Sequence, residues 1–174
     1  MIKIEIVEEC GYNSAMEGLS YNFNTSFEKA EDVSLKLYDK DHGHNKFMRF
    51  LFCWIRITAP RYWWSQFDQY SFATTNSEST MHTLLKTQIT QEMFATLIPQ
   101  EMLENLEMVR RDGDLERLKG LLPESFLQKR MVVTNYAQLR EMIIQRRNHK
   151  LSEWQEFCEI IPKIVEHKEF FNGK

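Results

Sequence analysis

Glycine and proline are scarce, six and four in 174 residues, and they stand singly rather than in runs. No flexible or low-complexity linker therefore divides the chain, and residues 1–174 are expected to form one domain. Cysteine is scarcer still. Cys10, Cys53 and Cys158 are odd in number and form no CxxC pair, which argues against a disulfide framework or a cysteine zinc site and for a reducing cytoplasm. There is no GxGxxG, no P-loop, and no serine, cysteine or metal hydrolase signature. Positive charge is not in excess either. A formal net charge of -3 lacks the basic footprint of a protein that grips duplex nucleic acid, so any site for a polyanion must be local. Long apolar runs are missing too: the most apolar stretch, 48–57, is too short to span a bilayer and is interrupted by Arg49 and Arg56. The opening residues alternate charged and apolar side chains, unlike a secretory signal. A soluble, cytoplasmic protein without a membrane partner is expected.

What is present suits a packed core, with 43% hydrophobic and 13% aromatic residues. Ile2, Ile4 and Ile6 alternate with polar neighbours, the period of a half-buried strand. Helices are predicted over 14–23 and from Thr25, where Thr25 and Glu28 have capping-box spacing and Phe27, Ala30 and Leu37 fall near one face. His42-Gly43-His44 reads as a loop, and 47–58 as a buried strand rich in Phe, Ile and Trp. Pro60 suits the first turn of a helix reaching about Tyr70. The hydroxyl-rich segment 73–79 predicts a turn or irregular loop. Helices follow over 91–111, broken at Pro99, and over 114–121, capped by Asp114; 129–133 is a short strand. Amphipathic helices close the pattern at 136–147 and 152–167, the last disturbed by Pro162. Few strands separated by helices predict an α+β fold.

Four groups of residues bear on chemistry. Lys119 and Arg146-Arg147 are either solvated charges or a phosphate site, and an apolar turn at Leu121-Leu122-Pro123 could aim Lys119 inward. Residues 74–80 could supply donors to a phosphate or a base edge, or merely cap a helix. Trp63 and Trp64, with Gln66 close by, fit core packing, an oligomer seam or a stacking surface. His42, His44, His82 and His149 lack the further ligands that a metal site needs, so no metal is expected.

In order along the chain, these segments resemble flavin-dependent thymidylate synthases (the ThyX family). Gly43-His44-Asn45-Lys46-Phe47 is similar to that family's GHxxPFEH loop, one residue shorter, and leads into an apolar strand. Ala59-Pro60, five residues and Gln66 keep a spacing found in its members. Three residues after Gln66, the signature RHRxxSxNExSxRY aligns with residues 69–82, where Thr74 replaces its first Ser while Asn76 and Ser79 are kept. Lys119, Pro123 and Asn135 keep the spacing of a basic residue, a Pro and an Asn, and Arg147 stands at the expected distance from Trp154.

The resemblance covers roughly His44 to Phe157. It implies a central antiparallel sheet packed by helices, a homotetramer with sites between subunits, and pockets for deoxyuridine monophosphate and flavin adenine dinucleotide (FAD). It assigns Gln66, Thr74, Asn76, Ser79, Lys119 and Arg147 to a nucleotide site, and His44, Tyr70, His82 and Asn135 to a cofactor or ligand side. Other positions depart from the pattern. The RHR triplet is Gln69-Tyr70-Ser71, the signature Glu is Ser77 beside Glu78, its final Arg-Tyr is Met81-His82, and an Arg two after the Asn is Ala137. Losing one positioned donor at such a site costs roughly 10²–10³ in rate. A nucleotide binder that has lost thymidylate synthesis is therefore expected. Its resemblance to divergent phage and prophage members suggests sequestration of a signalling nucleotide in the host cytoplasm. The alternatives are an active FAD-dependent synthase or pyrimidine-modifying enzyme, and an oligomeric interaction protein with no ligand.

Overall fold

The computed structural model describes residues 2–40 and 43–172. Alternation at the start gives β1 (Lys3–Cys10), in which Ile4 and Ile6 pack on the core beside buried Ile2 while Lys3 and Glu5 stay exposed. β2 (Phe52–Pro60) buries Cys53, Ile55, Ile57 and Ala59 on one face. With β3 (Thr74–Ser77) and β4 (Leu127–Asn135) it forms a four-stranded sheet of order β1-β2-β4-β3, antiparallel throughout. Helices lie between the strands in sequence, giving the α+β fold that the element pattern predicts.

α1 (Tyr12–Phe23) and α2 (Phe27–Leu37) pack on each other, burying Ala15, Met16, Leu19 and Ala30. Gly11 makes the corner between β1 and α1 at φ 96°. A Cβ there would meet the Phe50 carbonyl oxygen at 1.9 Å, so both the backbone angle and the close approach require glycine. In the same core, α3 (Arg61–Phe67) and α8 (Ser152–Ile164) bring Trp63, Trp64, Phe67, Trp154 and Phe157 together, all buried. The Trp63 ring lies 5.0 Å from Trp64 and 4.6 Å from Trp154, centroid to centroid. Both tryptophans of α3 are 0% exposed, so they are core and not a seam or a stacking surface. Buried Glu153 receives the Tyr62 hydroxyl, which satisfies a carboxylate that would otherwise be costly at that depth.

Several local expectations are corrected. α2 is capped by Ser26, whose hydroxyl accepts from Lys29 N at 3.4 Å, and not by Thr25. Residues Lys46–Arg49 form a 3-10 turn, so the strand expected from 47 begins at Phe52; Pro60 ends it and precedes α3, which stops at Phe67. The segment 73–79 is not irregular: Thr74–Ser77 pairs with Val133 to Arg130 as an edge strand. Pairing decides there, because β-branched threonine accepts a strand as readily as a turn once a partner edge is present. α4 (Thr80–Thr83) follows. The first half of 91–111 is a short 3-10 turn, and the helix proper, α5 (Gln100–Arg111), starts directly after Pro99. α6 (Leu115–Leu121) is capped by Asp114 as expected, its carboxylate accepting from Arg117 N at 3.0 Å. β4 is longer than 129–133 because the whole of β2 pairs with it. α7 (Tyr136–Arg146) matches its expected span, while α8 ends two residues beyond Pro162.

α5 and α6 build a second apolar cluster with Leu84, Ile89, Phe94 and Phe126, separate from the main core. Glu107 ties it together, accepting from Arg110 at 2.7 Å, Arg111 at 3.1 Å and Ile89 N at 3.2 Å. The Arg110 guanidinium is the chief reason its carboxyl is held down at about 2.

Two measurements check these points. Gly11→Ala should cost about 2–4 kcal/mol from the positive φ and the backbone clash, read as a lowered urea midpoint. A carboxyl held lower in the folded than in the unfolded chain stabilises above its unfolded value, and that contribution is lost as the pH falls through the folded one. Unfolding followed by amide exchange in α5 and α6 should therefore ease as the pH drops from 4.5 towards 2, and Glu107→Gln should flatten that dependence.

Candidate functional site

α7 lines a polar cleft surface. Asn135 ends β4 and caps the helix, its Oδ1 accepting from Gln138 N at 2.9 Å. One cleft of about 450 Å³ opens beside it, lined among others by Asn45, Arg49, Asn135, Ala137 and Arg140. A second, of about 340 Å³, is lined by Gln69, Tyr70, Ser71 and Arg146. Both share Phe72, Gln138, Glu141 and Gln145, so they form one continuous groove along α7. Gln138, Glu141 and Gln145 recur at helical spacing, which puts them on one face. Phe72 is 68% exposed, an aromatic surface without cover in the groove wall.

Arginine dominates the charge of the groove. Arg49 and Arg140 line the first cleft, and Arg146 lines the second. Arg146 is held firmly: its Nε donates to the Tyr70 hydroxyl at 2.9 Å, and its guanidinium lies 5.0 Å from the Trp154 ring centroid and 5.6 Å from that of Tyr70. The Tyr70 hydroxyl in turn donates to Gln145 Oε1 at 3.1 Å. Gln66 Oε1 accepts from Trp154 Nε1 at 2.9 Å, fixing the indole on which Arg146 rests. Nearby His149 is held below the usual histidine range, first by burial and then by Arg146 and Lys150, and its Nδ1 accepts from Leu151 N at 3.1 Å.

Of the residues singled out from the sequence, Gln66, Tyr70 and Asn135 therefore stand in or against this groove. The others do not line it within a single chain. Thr74 and Asn76 are exposed on edge strand β3, and exposed Ser79 precedes α4, whose His82 is also exposed. Lys119 is not aimed inward: it is exposed, with Nζ 3.2 Å from Met81 Sδ. Arg147 is exposed and makes no side-chain hydrogen bond among the described residues. His44 lines a different, more apolar cleft of about 450 Å³ with Phe23 and Phe50, and His42 lies outside the described residues. Glu78 is committed to the sheet, its Oε1 accepting from Lys129 N at 3.0 Å. Sequence reasoning missed Arg49, Arg140, Gln138 and Glu141, and preferred Arg147 to its neighbour Arg146. The i, i+3 and i+4 relation of Gln138, Glu141 and Gln145 was the available signal.

No protein-family model matches the sequence, and neither does any curated protein. Solved structures do match the fold. A crystal structure of thymidylate synthase X (ThyX) from Helicobacter pylori with FAD and dUMP has a TM-score of 0.84 at 16% identity, over 99% of this chain and 98% of that one. A second structure of the flavin-dependent enzyme from the same organism, complexed with FAD and dUMP, has a TM-score of 0.83 at 16% identity, over 98% of each chain. The chain thus has the ThyX fold over nearly its whole length.

Tyr70→Phe removes the hydroxyl that joins Arg146 to Gln145 and leaves the ring in place. It should lower stability by about 1 kcal/mol in chemical denaturation, and the Arg146 side chain should gain mobility in NMR relaxation. An unchanged Arg146 would show that Trp154 alone positions it.

Proposed function

We propose that this protein binds a nucleotide in the groove along α7 and holds it without turning it over. The observation that supports this most directly is the composition of the groove: three guanidiniums, a row of neutral amides and the uncovered ring of Phe72. Arg49 and Arg140 offer planar forks to phosphate oxygens. Asn45, Asn135 and Gln138 offer amide groups to a sugar or a base, and Phe72 offers a face for stacking. In Asn135 the cap occupies Oδ1, which leaves its amide N–H groups for a ligand.

The same residues speak for retention over chemistry. Where the resemblance expects three ionisable donors, the groove has Gln69, Tyr70 and Ser71, which are neutral. Arg146, the cation at that end, is already engaged by Tyr70 and Trp154. A charge-stabilised transition state needs free donors aimed where charge develops. Tight binding needs only a good fit. Sequestration of a nucleotide or nucleotide-derived signal is the activity that fits this balance, and a phage-encoded protein would use it to withdraw a host defence signal. Thr74, Asn76, Ser79, His82, Lys119 and Arg147, exposed in the single chain, would join the ligand from neighbouring copies in a homotetramer.

A second reading, an FAD-dependent enzyme acting on deoxyuridine monophosphate, is favoured by what the matching Helicobacter pylori structures contain. The donor set fits the flavin poorly. Glu141 puts a carboxylate in the middle of the groove, and at the end where the resemblance expects RHR the one cation lining it, Arg146, is already engaged by Tyr70 and Trp154. No hydride-transfer step is assigned to this chain.

Mass spectrometry of small molecules released from freshly purified, denatured protein separates the two readings. A nucleotide without flavin is expected, from protein that is colourless. Flavin alone, with the absorbance of a yellow protein, overturns sequestration. Arg49→Ala with Arg140→Ala should abolish the thermal stabilisation that nucleotides give, and Lys119→Ala with Arg147→Ala should do so only if neighbouring copies complete the site.

A further inference from the structure

A carboxylate in a groove built for an anion needs an explanation. Glu141 lines both halves of the groove, and among the described residues no cationic nitrogen lies within 4.0 Å of it. Its only hydrogen-bond partners there are two amides on its own helix face: Gln138 Nε2 donates to Oε2 at 3.3 Å and Gln145 Nε2 to Oε1 at 3.2 Å. Each oxygen thus has one donor. An ionised carboxylate has about four acceptor sites, so each oxygen keeps roughly one for the groove. A pair of parallel N–H donors is the complement of that arrangement. Near a phosphate the charge would repel; over the base it would select.

Resting on the nucleotide-binding assignment above, we infer that Glu141 reads the base, and that the base is a guanine. The common bases differ on the edge they would present. Guanine offers two adjacent donors, its ring N1–H and its exocyclic 2-amino group, which match the two free acceptor sites of Glu141. Adenine and cytosine each offer one amino group beside a ring acceptor. Uracil and thymine offer a single N–H flanked by two carbonyl oxygens, both of which would face the carboxylate. The groove therefore disfavours a uracil nucleotide, whose carbonyl oxygens carry partial negative charge and no donor, and rewards a guanine nucleotide with two charge-assisted bonds. With the base over Glu141, the phosphates extend to Arg49 and Arg140 in the same cleft, and Phe72 borders both.

Isothermal titration of the intact chain with GMP, IMP, AMP and UMP tests this. IMP lacks only the 2-amino group, so it should bind at least ~10-fold more weakly than GMP. AMP and UMP should bind more weakly again. Glu141 is exposed, so Glu141→Gln should fold normally, and it should bring GMP and IMP to within about threefold of each other while binding through the phosphate persists. Equal binding of GMP and IMP by the unaltered protein, or an undiminished GMP preference in Glu141→Gln, overturns the base assignment and leaves nucleotide binding standing. If none of the four binds, the groove is not a nucleotide site and both assignments fall together.

Discussion

The groove wall along α7 depends on one bond, that of the Trp154 indole N–H to Gln66 Oε1. Trp154 is fully buried and touches three structural units at once. It stacks into the α3 aromatics through Trp63, belongs to α8, and supports the Arg146 guanidinium at the end of α7. A buried indole has one donor and must place it. By taking that donor, Gln66 fixes the plane of the ring, and the ring fixes the arginine. The Tyr70 hydroxyl closes the same network from the groove side. Gln66, which the family resemblance assigns to a nucleotide site, makes its contact in this single chain behind the groove wall, through Trp154.

The two ends of the groove differ in which cations remain free. Fold alone does not carry an activity. In this groove the arginines at Arg49 and Arg140 come from the 3-10 turn before β2 and from the middle of α7, whereas the segment entering β3 is neutral. The guanidiniums of Arg49 and Arg140 thus lie at one end, while Arg146 at the other is held by Tyr70 and Trp154.

Much of this was legible in the sequence, and the failures have physical causes. The α+β order, the Asp114 cap, the restart after Pro99 and the span of α7 all follow from local rules that no tertiary contact overrides. β3 was missed because its four residues are polar and short, and only the edge of β4 makes them a strand. Ser26 displaced Thr25 because two adjacent hydroxyl residues both satisfy a capping pattern. Spacing points to Arg147, and adjacent residues on a helix project roughly 100° apart, so Arg146 and Arg147 face different surroundings. Arg146 is the one that meets Tyr70 and Trp154. Lys119 could not be placed at all from sequence, since its environment is set by Met81, thirty-eight residues away.

The clustering of tryptophan has an optical consequence. Three of the four indoles, Trp63, Trp64 and Trp154, are buried in one cluster with neighbouring centroids 4.6 to 5.0 Å apart. Absorbed light will migrate among them and emerge at blue-shifted wavelengths, dominated by this one cluster. Trp154 sits directly behind a guanidinium of the groove wall, so any anion that draws Arg146 away alters the field on the emitting ring. The chain contains its own fluorescent gauge of where Arg146 stands, with no label to attach.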